Sequence, residues 1–218
     1  IVLQKSTDFE AQFEFRPLEP GYGVTIGNAL RRVLLNSLEG YAIVGISIAG
    51  ADHEFATIKG ITEDVTEIIL NLKQVRFKKK TDQDSGTEKI SLSLKNKTEF
   101  TAGMIGDASP AFEVMNPELL ICTMDTSAKL DIEITIAKGR GYVPAEENKE
   151  KSTHFGYIPI DAIYTPIKNV KYSIENTRVE QRTDFEKLVM DGVTDGTIHP
   201  EEAVKQASRI LIQHLMII

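Results

Sequence analysis

The sequence predicts an α+β fold, with β-strands clustered in the middle of the chain and helices mainly toward its ends. Apolar residues that alternate with polar ones recur through the middle of the chain, as in strands with one buried face. Helical periodicity is restricted to three segments, near residues 25–38, 62–73 and 200–218. Because strands and helices do not alternate regularly, the pattern favours α+β over a repeating βαβ architecture.

The clearest strand patterns are LDIEITIAKG (130–139), KISLSL (89–94) and VKYSIEN (170–176). Their apolar positions, which predict the buried faces, are Leu130, Ile132, Ile134, Ile136, Ile90, Leu92, Leu94, Val170, Tyr172 and Ile174. Weaker strand patterns are FEFRPL (13–18), AIVGISI (42–48) and QVRF (74–77).

The helices carry start signals. Thr62 is predicted to cap the second helix, with acidic residues behind it that suit the helix dipole. Pro200 is predicted to occupy the first position of the last helix.

Two loops lie between the regular elements. Residues 78–89 are predicted to form a hairpin tip, and residues 139–156 form a loop long enough to be either functional or disordered.

Composition restricts the class of protein. The net charge of -7 and the absence of Trp disfavour direct nucleic-acid binding, which needs clustered Lys and Arg or stacking aromatics. Cys122 is the only cysteine, which favours a reducing cytoplasm. We expect neither a signal peptide nor a membrane span, which would need about 20 apolar residues. Because the chain starts without Met, we expect it to be part of a longer protein.

Three closely spaced glycines, Gly21, Gly23 and Gly27, lie at the start of the first helix. Glycine-rich turns before helices often bind phosphate, so one hypothesis is a small nucleotide-binding enzyme that uses this loop. The spacing is G-x-G-x-x-x-G, however, and no Lys follows as in a Walker loop. The alternative is a tight turn into a helix whose glycine permits close packing.

No catalytic or metal-binding constellation stands out. The four histidines, His53, His154, His199 and His214, do not have metal-ligand spacing. The sequence also has no serine-nucleophile elbow, zinc-protease motif or Cys/His pairing. We therefore predict no catalytic residue, no bound metal and no cofactor.

The first helix has two different faces on a helical wheel. Its packed half is predicted to contain Ile26, Ala29, Leu30, Val33, Leu34 and Leu38. Asn28, Arg32 and Leu35 fall on the opposite half, where Arg32 and Leu35 are neighbours because they are three residues apart. An exposed Leu beside an Arg is typical of a protein–protein contact, although a solvated Arg next to a stray surface Leu gives the same pattern.

The last helix is apolar on more than one side. One stripe contains Ala203, Val204, Ala207, Ile210, Leu211, Leu215 and Ile218, with His214 among them. Three further apolar residues, Ile212, Met216 and Ile217, lie largely off that stripe. A helix of this kind is typically buried against a partner, and the simplest partner is a second copy in a two-fold dimer.

Five ordered blocks of the sequence are distinctive as a set. They are LEPGYGVTIGNALRRVLLNSLEG (18–40), GITEDVTEIILNLKQV (60–75), GRGYVPA (139–145), RVEQRTDFEKLV (178–189) and GTIHPEEAVKQASRIL (196–211). Together they closely resemble the bacterial DNA-directed RNA polymerase alpha subunit family, in the same order and over nearly the whole chain.

The resemblance implies a discontinuous dimerisation subdomain of antiparallel strands and two long helices, formed by residues 1–40 and 170–218. A β-rich subdomain, 41–169, is inserted between them and contacts the large subunits. The implied function is that of a non-catalytic scaffold, which homodimerises and nucleates assembly of the beta and beta-prime subunits for DNA-templated nucleotidyl transfer in the cytoplasm, at the nucleoid. The family's C-terminal DNA-binding domain has no counterpart here, so we expect no direct DNA binding.

The resemblance also assigns contact residues. Beta-subunit contacts match Asn28, Arg32 and Leu35. Beta-prime contacts match Glu67, Lys73, Ile160 and Thr165. The dimer interface matches Tyr22, Ile26, Leu30, Val33, Ala207, Ile210, Leu211, His214 and Leu215.

Overall fold

A computed structural model describes residues 2–80, 86–149, 155–179 and 181–218. The chain divides into two compact units. Residues 1–39 and 165–218 form the first unit, and residues 40–164 form the second. The chain thus leaves the first unit once and returns to it.

The elements have the following bounds in chain order. They are β1 (Val2–Ser6), β2 (Glu10–Leu18), α1 (Tyr22–Asn36), β3 (Glu39–Ile48), α2 (Val65–Leu72), β4 (Phe77–Lys79), β5 (Thr87–Lys95), β6 (Glu99–Thr101), α3 (Ala102–Ala108), β7 (Phe112–Val114), β8 (Leu120–Thr123), β9 (Lys129–Arg140), β10 (Tyr142–Val143), α4 (Ala145–Lys149), β11 (Tyr157–Pro159), β12 (Ala162–Ile163), β13 (Ile167–Val179), β14 (Arg182–Thr194) and α5 (Pro200–Leu215). This mixture of mostly antiparallel sheets and helices confirms the predicted α+β class.

The first unit is an antiparallel sheet in the order β1-β2-β14-β13, on which α1 and α5 pack. Phe13 of β2 and Met190 of β14 are register partners, and both are buried. They share one core with Leu30 and Leu34 of α1 and with Ala207 of α5. The apolar face of one sheet therefore fixes the position of both helices.

The second unit contains a four-stranded sheet in the order β11-β3-β9-β5 and three two-stranded pairs, β10-β12, β4-β7 and β6-β8. The alternation predicted for β9 is confirmed, because Leu130, Ile132, Ile134 and Ile136 are all at most 2% exposed. In the antiparallel register, Ile90 of β5 lies opposite Ile134. Apolar pairs of this kind stabilise neighbouring strands.

Two predicted helix starts differ from the observed ones. Helix α2 begins at Val65 with Asp64 as its N-cap, rather than with Thr62. Asp64 Oδ1 accepts a hydrogen bond from the Glu67 amide at 2.8 Å, while Glu67 Oε2 accepts one from the Asp64 amide at 3.2 Å. This reciprocal capping box outweighs a single Thr cap. Helix α1 begins at Tyr22, earlier than the predicted Thr25.

Several loop predictions are wrong. Residues 78–89 do not join a hairpin, because β4 pairs with β7 whereas β5 pairs with β9; residues 81–85 lie outside the described residues. The predicted strand at 74–77 begins only at Phe77. Short elements that carry too few residues for a periodic pattern were missed, among them α3 and, within 139–156, β10 and α4; residues 150–154 of that loop lie outside the described residues. The longer strand β14 was not predicted either.

Candidate subunit-contact sites

The first turn of α1 is capped by a carboxylate from the neighbouring sheet. Glu186 of β14 accepts hydrogen bonds from the amides of Gly21 at 2.9 Å and Gly23 at 2.8 Å. Gly21 has a φ of 87°, a left-handed conformation that glycine adopts without strain. The helix itself has no acidic residue in its first turn and no side-chain cap, so Glu186 supplies the anion that its dipole favours.

The other two glycines bring α1 close to the sheet. A Cβ atom on Gly23 would lie 2.7 Å from Glu186 Oε2, and one on Gly27 would lie 2.8 Å from Tyr172 Cδ2. The glycine spacing is thus explained by helix packing. The amides that a phosphate would need already bind Glu186, so the nucleotide-binding alternative gains no support from this loop.

The surface predicted to meet the beta subunit lies on one flank of α1. Asn28 and Arg32 are exposed there. Within the described ranges, Arg32 has no hydrogen-bond or ion-pair partner, whereas its neighbour Arg31 donates from Nε to the Val170 carbonyl at 3.3 Å. A charged side chain without an intramolecular partner is free to bind another protein.

The helical wheel misplaced Leu35. Its side chain is half-buried and packs against the core of the first unit, rather than standing on the face opposite to it. The buried residues of α1 are Gly23, Gly27, Leu30 and Leu34. Because two of them are glycines, the hydrophobicity pattern did not indicate the buried face correctly. Leu35 therefore borders the packed face and presents only its edge beside Arg32.

The residues predicted for the dimer interface fall into two groups. Leu30 and Ala207 are 4% and 0% exposed, and they build the core of a single chain instead of an outer surface. The remaining ones are half-buried or exposed: Ile26, Val33, Ile210, Leu211, Tyr22, His214 and Leu215. At about 100° per residue, Tyr22, Ile26 and Val33 form a second flank of α1, about 100° around the helix from Arg32.

The end of α5 exposes a strongly apolar surface. Ile212 is 56% exposed, Leu215 64% and Met216 80%. His214 Nδ1 lies 2.8 Å from the Ile210 carbonyl, which holds the ring along the helix. Contiguous exposed apolar residues of this size typically mark a protein–protein interface.

In the second unit, Lys73 at the end of α2 forms a salt bridge that sequence reasoning missed. Its Nζ lies 2.7 Å from Asp161 Oδ2, and Asp161 Oδ1 accepts from the Ala145 amide at 2.9 Å. The hydrogen bond from Lys73 holds the pKa of Asp161 below its ordinary value. Asp161 lies far from Lys73 in sequence, and no local pattern could have joined them. Glu67, in the capping box, is exposed on the same helix.

Two other predicted beta-prime contacts have different surroundings. Ile160 is 1% exposed and belongs to the core of the second unit, so its side chain cannot meet another subunit directly in this conformation. Thr165 belongs to the first unit, where its Oγ1 accepts a hydrogen bond from the Ile167 amide at 3.3 Å.

The described residues lack both a metal-binding cluster and a membrane-spanning helix. They contain no group of three or more His, Cys, Asp or Glu side chains that could hold a metal ion. Nor does any helix among them have the length and apolar character needed to cross a membrane.

Comparisons with known proteins agree on one family. Residues 44–165 match the family model of the RNA polymerase Rpb3/RpoA insert domain. The chain is 63% identical over 217 residues to the DNA-directed RNA polymerase subunit alpha of Cytophaga hutchinsonii, and 58% identical over 217 residues to that of Bacteroides fragilis. Both alignments cover 100% of this chain and 65% of the relative, so the chain spans about two thirds of these proteins' length. The chain belongs to the bacterial DNA-directed RNA polymerase alpha subunit family.

Proposed function

We propose that this chain is a scaffold of RNA polymerase, which dimerises and nucleates assembly of the beta and beta-prime subunits for DNA-templated transcription. The observation that carries the proposal is the arrangement of α1, whose two flanks expose different surfaces on either side of one packed face. One flank is apolar and continues toward α5. The other presents Asn28 and Arg32, whose guanidinium has no partner among the residues that the structure describes.

Dimerisation uses the apolar flank of α1 and the end of α5. Tyr22, Ile212 and Leu215 are each more than half exposed in one chain, although they are large and apolar. Burying one such side chain is worth about 1.5–3 kcal/mol, before the costs of association are subtracted. Leu30 and Ala207 act behind this surface by holding the two helices together.

The beta subunit binds the other flank of α1, through Arg32 with Asn28 and the edge of Leu35. An Arg guanidinium beside a partly apolar surface has the character of an interface hot spot. The beta-prime subunit binds the second unit at the exposed face of α2, through Glu67 and Lys73. Ile160 supports that surface from the core, and Thr165 is a separate beta-prime contact on the first unit.

The catalytic groups of the assembled polymerase belong to the partner subunits in this proposal. The chain itself, with a net charge of -7, is not expected to bind DNA directly. It acts in the cytoplasm, at the nucleoid, as part of the polymerase.

The proposal is tested by capture of purified beta subunit on immobilised chain. We expect Arg32→Ala to weaken capture at least about tenfold, as for a hot-spot residue, while light scattering still reports a dimer. Arg31→Ala is the matched control, because it removes an arginine from the same helix whose guanidinium already bonds Val170. Equal capture of beta by the Arg32→Ala variant and the wild type would show that this flank of α1 is not the docking surface.

A further inference from the structure

The second unit has an open groove beside the helix that carries Lys73. The groove has a volume of about 400 Å³, and α2, α4, β11 and the segment around Phe55 line it. Thr66 Oγ1 donates to the Glu54 carbonyl at 2.8 Å, which ties that segment to α2. The Lys73–Asp161 salt bridge and the hydrogen bond that the Ala145 amide donates to Asp161 connect α2 to the start of α4. Interactions therefore connect α2 both to the Phe55 segment and to α4.

Two large apolar side chains that line this groove are exposed to solvent. Phe55 is 76% exposed and Leu70 is 53% exposed, and both line it. Single exposed apolar residues are common on protein surfaces, but two on one concave surface mark an interaction site. The buried face of α2, with Val65, Ile68, Ile69 and Leu72, fixes the orientation in which Leu70 points outward.

Leu70 lies at the centre of the exposed face of α2. It is three residues from Glu67 and three from Lys73, so the three side chains are neighbours on the helix surface. An apolar residue with charged residues on both sides matches the anatomy of a protein interface, in which a desolvated centre is surrounded by a polar rim.

The charges around the groove indicate the chemistry of its occupant. Lys73 and Asp161 neutralise each other. The other charged residues that line the groove are Glu54, Glu146 and Lys149, and Glu67 is exposed on the same helix α2. A partner that places an apolar side chain between lysines or arginines complements this rim, whereas a second copy of this chain, with its net charge of -7, or a nucleic acid does not.

We propose that Phe55 and Leu70 form the apolar anchor that binds the beta-prime subunit, through a segment in which an apolar side chain is flanked by Lys or Arg. This inference rests on the proposed scaffold function and adds two residues, and the chemistry of the partner segment, to the surface assigned to Glu67 and Lys73. The anchor supplies affinity, and the acidic rim selects the partner and speeds its association.

The test titrates purified beta-prime subunit onto the chain alone and onto the chain preloaded with beta subunit. Three variants are compared: Phe55→Ser, Leu70→Ser and the double variant. We expect the apparent Kd for beta-prime to rise about tenfold in each single variant and at least about 100-fold in the double variant. Beta capture and the dimer measured by light scattering stay unchanged. Phe155→Ser is the matched control, since Phe155 is 93% exposed in the same unit but does not line this groove.

Charge reversal provides a second measurement that does not disturb the anchor. Glu54→Lys combined with Glu146→Lys is expected to slow beta-prime association at low salt at least about tenfold, with a smaller effect at high salt. An unchanged rate at low salt would contradict the basic character of the partner segment.

The outcomes separate this inference from the scaffold proposal. If the double variant binds beta-prime as the wild type does, the anchor is wrong, and the scaffold proposal still stands provided that Arg32→Ala loses beta. If the double variant becomes monomeric, the occupant is a second copy and the inference is overturned. Circular dichroism of each variant verifies that a loss of binding does not come from unfolding.

Discussion

Glu186 Oε2 accepts a hydrogen bond from the amide of Gly23 at 2.8 Å, across 163 positions of the chain. The carboxylate belongs to β14 and the amide to the first turn of α1. One side chain therefore joins the sheet to the helix that carries both proposed contact surfaces. Since α1 has no side-chain cap of its own, its start is stabilised by the tertiary structure.

Removing this carboxylate is predicted to destabilise the first unit. In Glu186→Ala, the amides of Gly21 and Gly23 lose their acceptor, and the free energy of unfolding should fall by about 1–2 kcal/mol, as for loss of a helix cap. Urea denaturation measures the change. Glu175→Ala is the control, because it removes an exposed carboxylate from neighbouring β13, where the solvent-screened pair with Lys187 at 2.6 Å should contribute little. Equal losses in the two variants would contradict the capping role.

Gly27→Ala tests the close approach of α1 to the sheet. The added Cβ would lie 2.8 Å from Tyr172 Cδ2 and 2.9 Å from Leu188 Cδ1, so the helix must shift. Overpacking of this kind costs about 1–3 kcal/mol, which exceeds the gain of about 0.5–1 kcal/mol from replacing Gly by Ala within a helix. We therefore expect a lower melting temperature.

Gly192→Ala is the control for that variant, because a Cβ there would meet nothing within 4 Å. It should leave the melting temperature nearly unchanged. A Gly27→Ala variant that melts at or above the wild-type temperature would show that the helix can move off the sheet at little cost.

The sequence predicted those features of the fold that depend on local periodicity, such as the buried face of a strand. The alternation in β9 located a buried face correctly, because its alternating residues Leu130, Ile132, Ile134 and Ile136 belong to one core. Local periodicity could not reveal that Glu186 caps α1, or that Lys73 pairs with Asp161, because these contacts join segments that are distant in the sequence. Gly23 and Gly27 occupy buried positions of α1 where apolar side chains would be expected. The helical wheel therefore predicted the packed face in a rotated position, and it misplaced Leu35.

The Lys73–Asp161 salt bridge is predicted to make the stability of the second unit depend on pH. Hydrogen bonding to Lys73 lowers the pKa of Asp161 in the folded state. The pair therefore adds stability above the unfolded pKa of about 4, and that contribution is lost as the pH falls through the lowered folded value. At pH 7, Asp161→Asn should cost about 1 kcal/mol of unfolding free energy, because the pair is partly exposed.

A double-mutant cycle isolates this pair. Asp161→Asn, Lys73→Met and their combination are unfolded in urea at pH 7 and again near pH 3. The coupling energy should be favourable at pH 7 and smaller at pH 3. A coupling energy that is zero at pH 7, or one that grows on acidification, would mean that the short distance between the two side chains carries no net stabilisation.

The exposed end of α5 is predicted to control the oligomeric state. Ile212 and Leu215, three residues apart on the helix, are 56% and 64% exposed in one chain. Replacing both by Glu would place two like charges in the proposed apolar interface, where burying an unpaired charge is costly. We expect the dimer dissociation constant to rise at least about 100-fold, which is equivalent to about 2.7 kcal/mol. Sedimentation velocity over a range of concentrations measures it.

Gln213→Glu is the matched control for the α5 variant. It adds a negative charge to the same turn at an exposed polar position and should leave the dimer intact. Since the buried residues of α5 end at Ala207, the Ile212→Glu and Leu215→Glu changes should leave the core and the circular dichroism of each chain intact. A double variant that remains dimeric would place the interface elsewhere. A variant that dissociates and still captures the beta subunit would show that Arg32 acts within one chain, independently of the dimer.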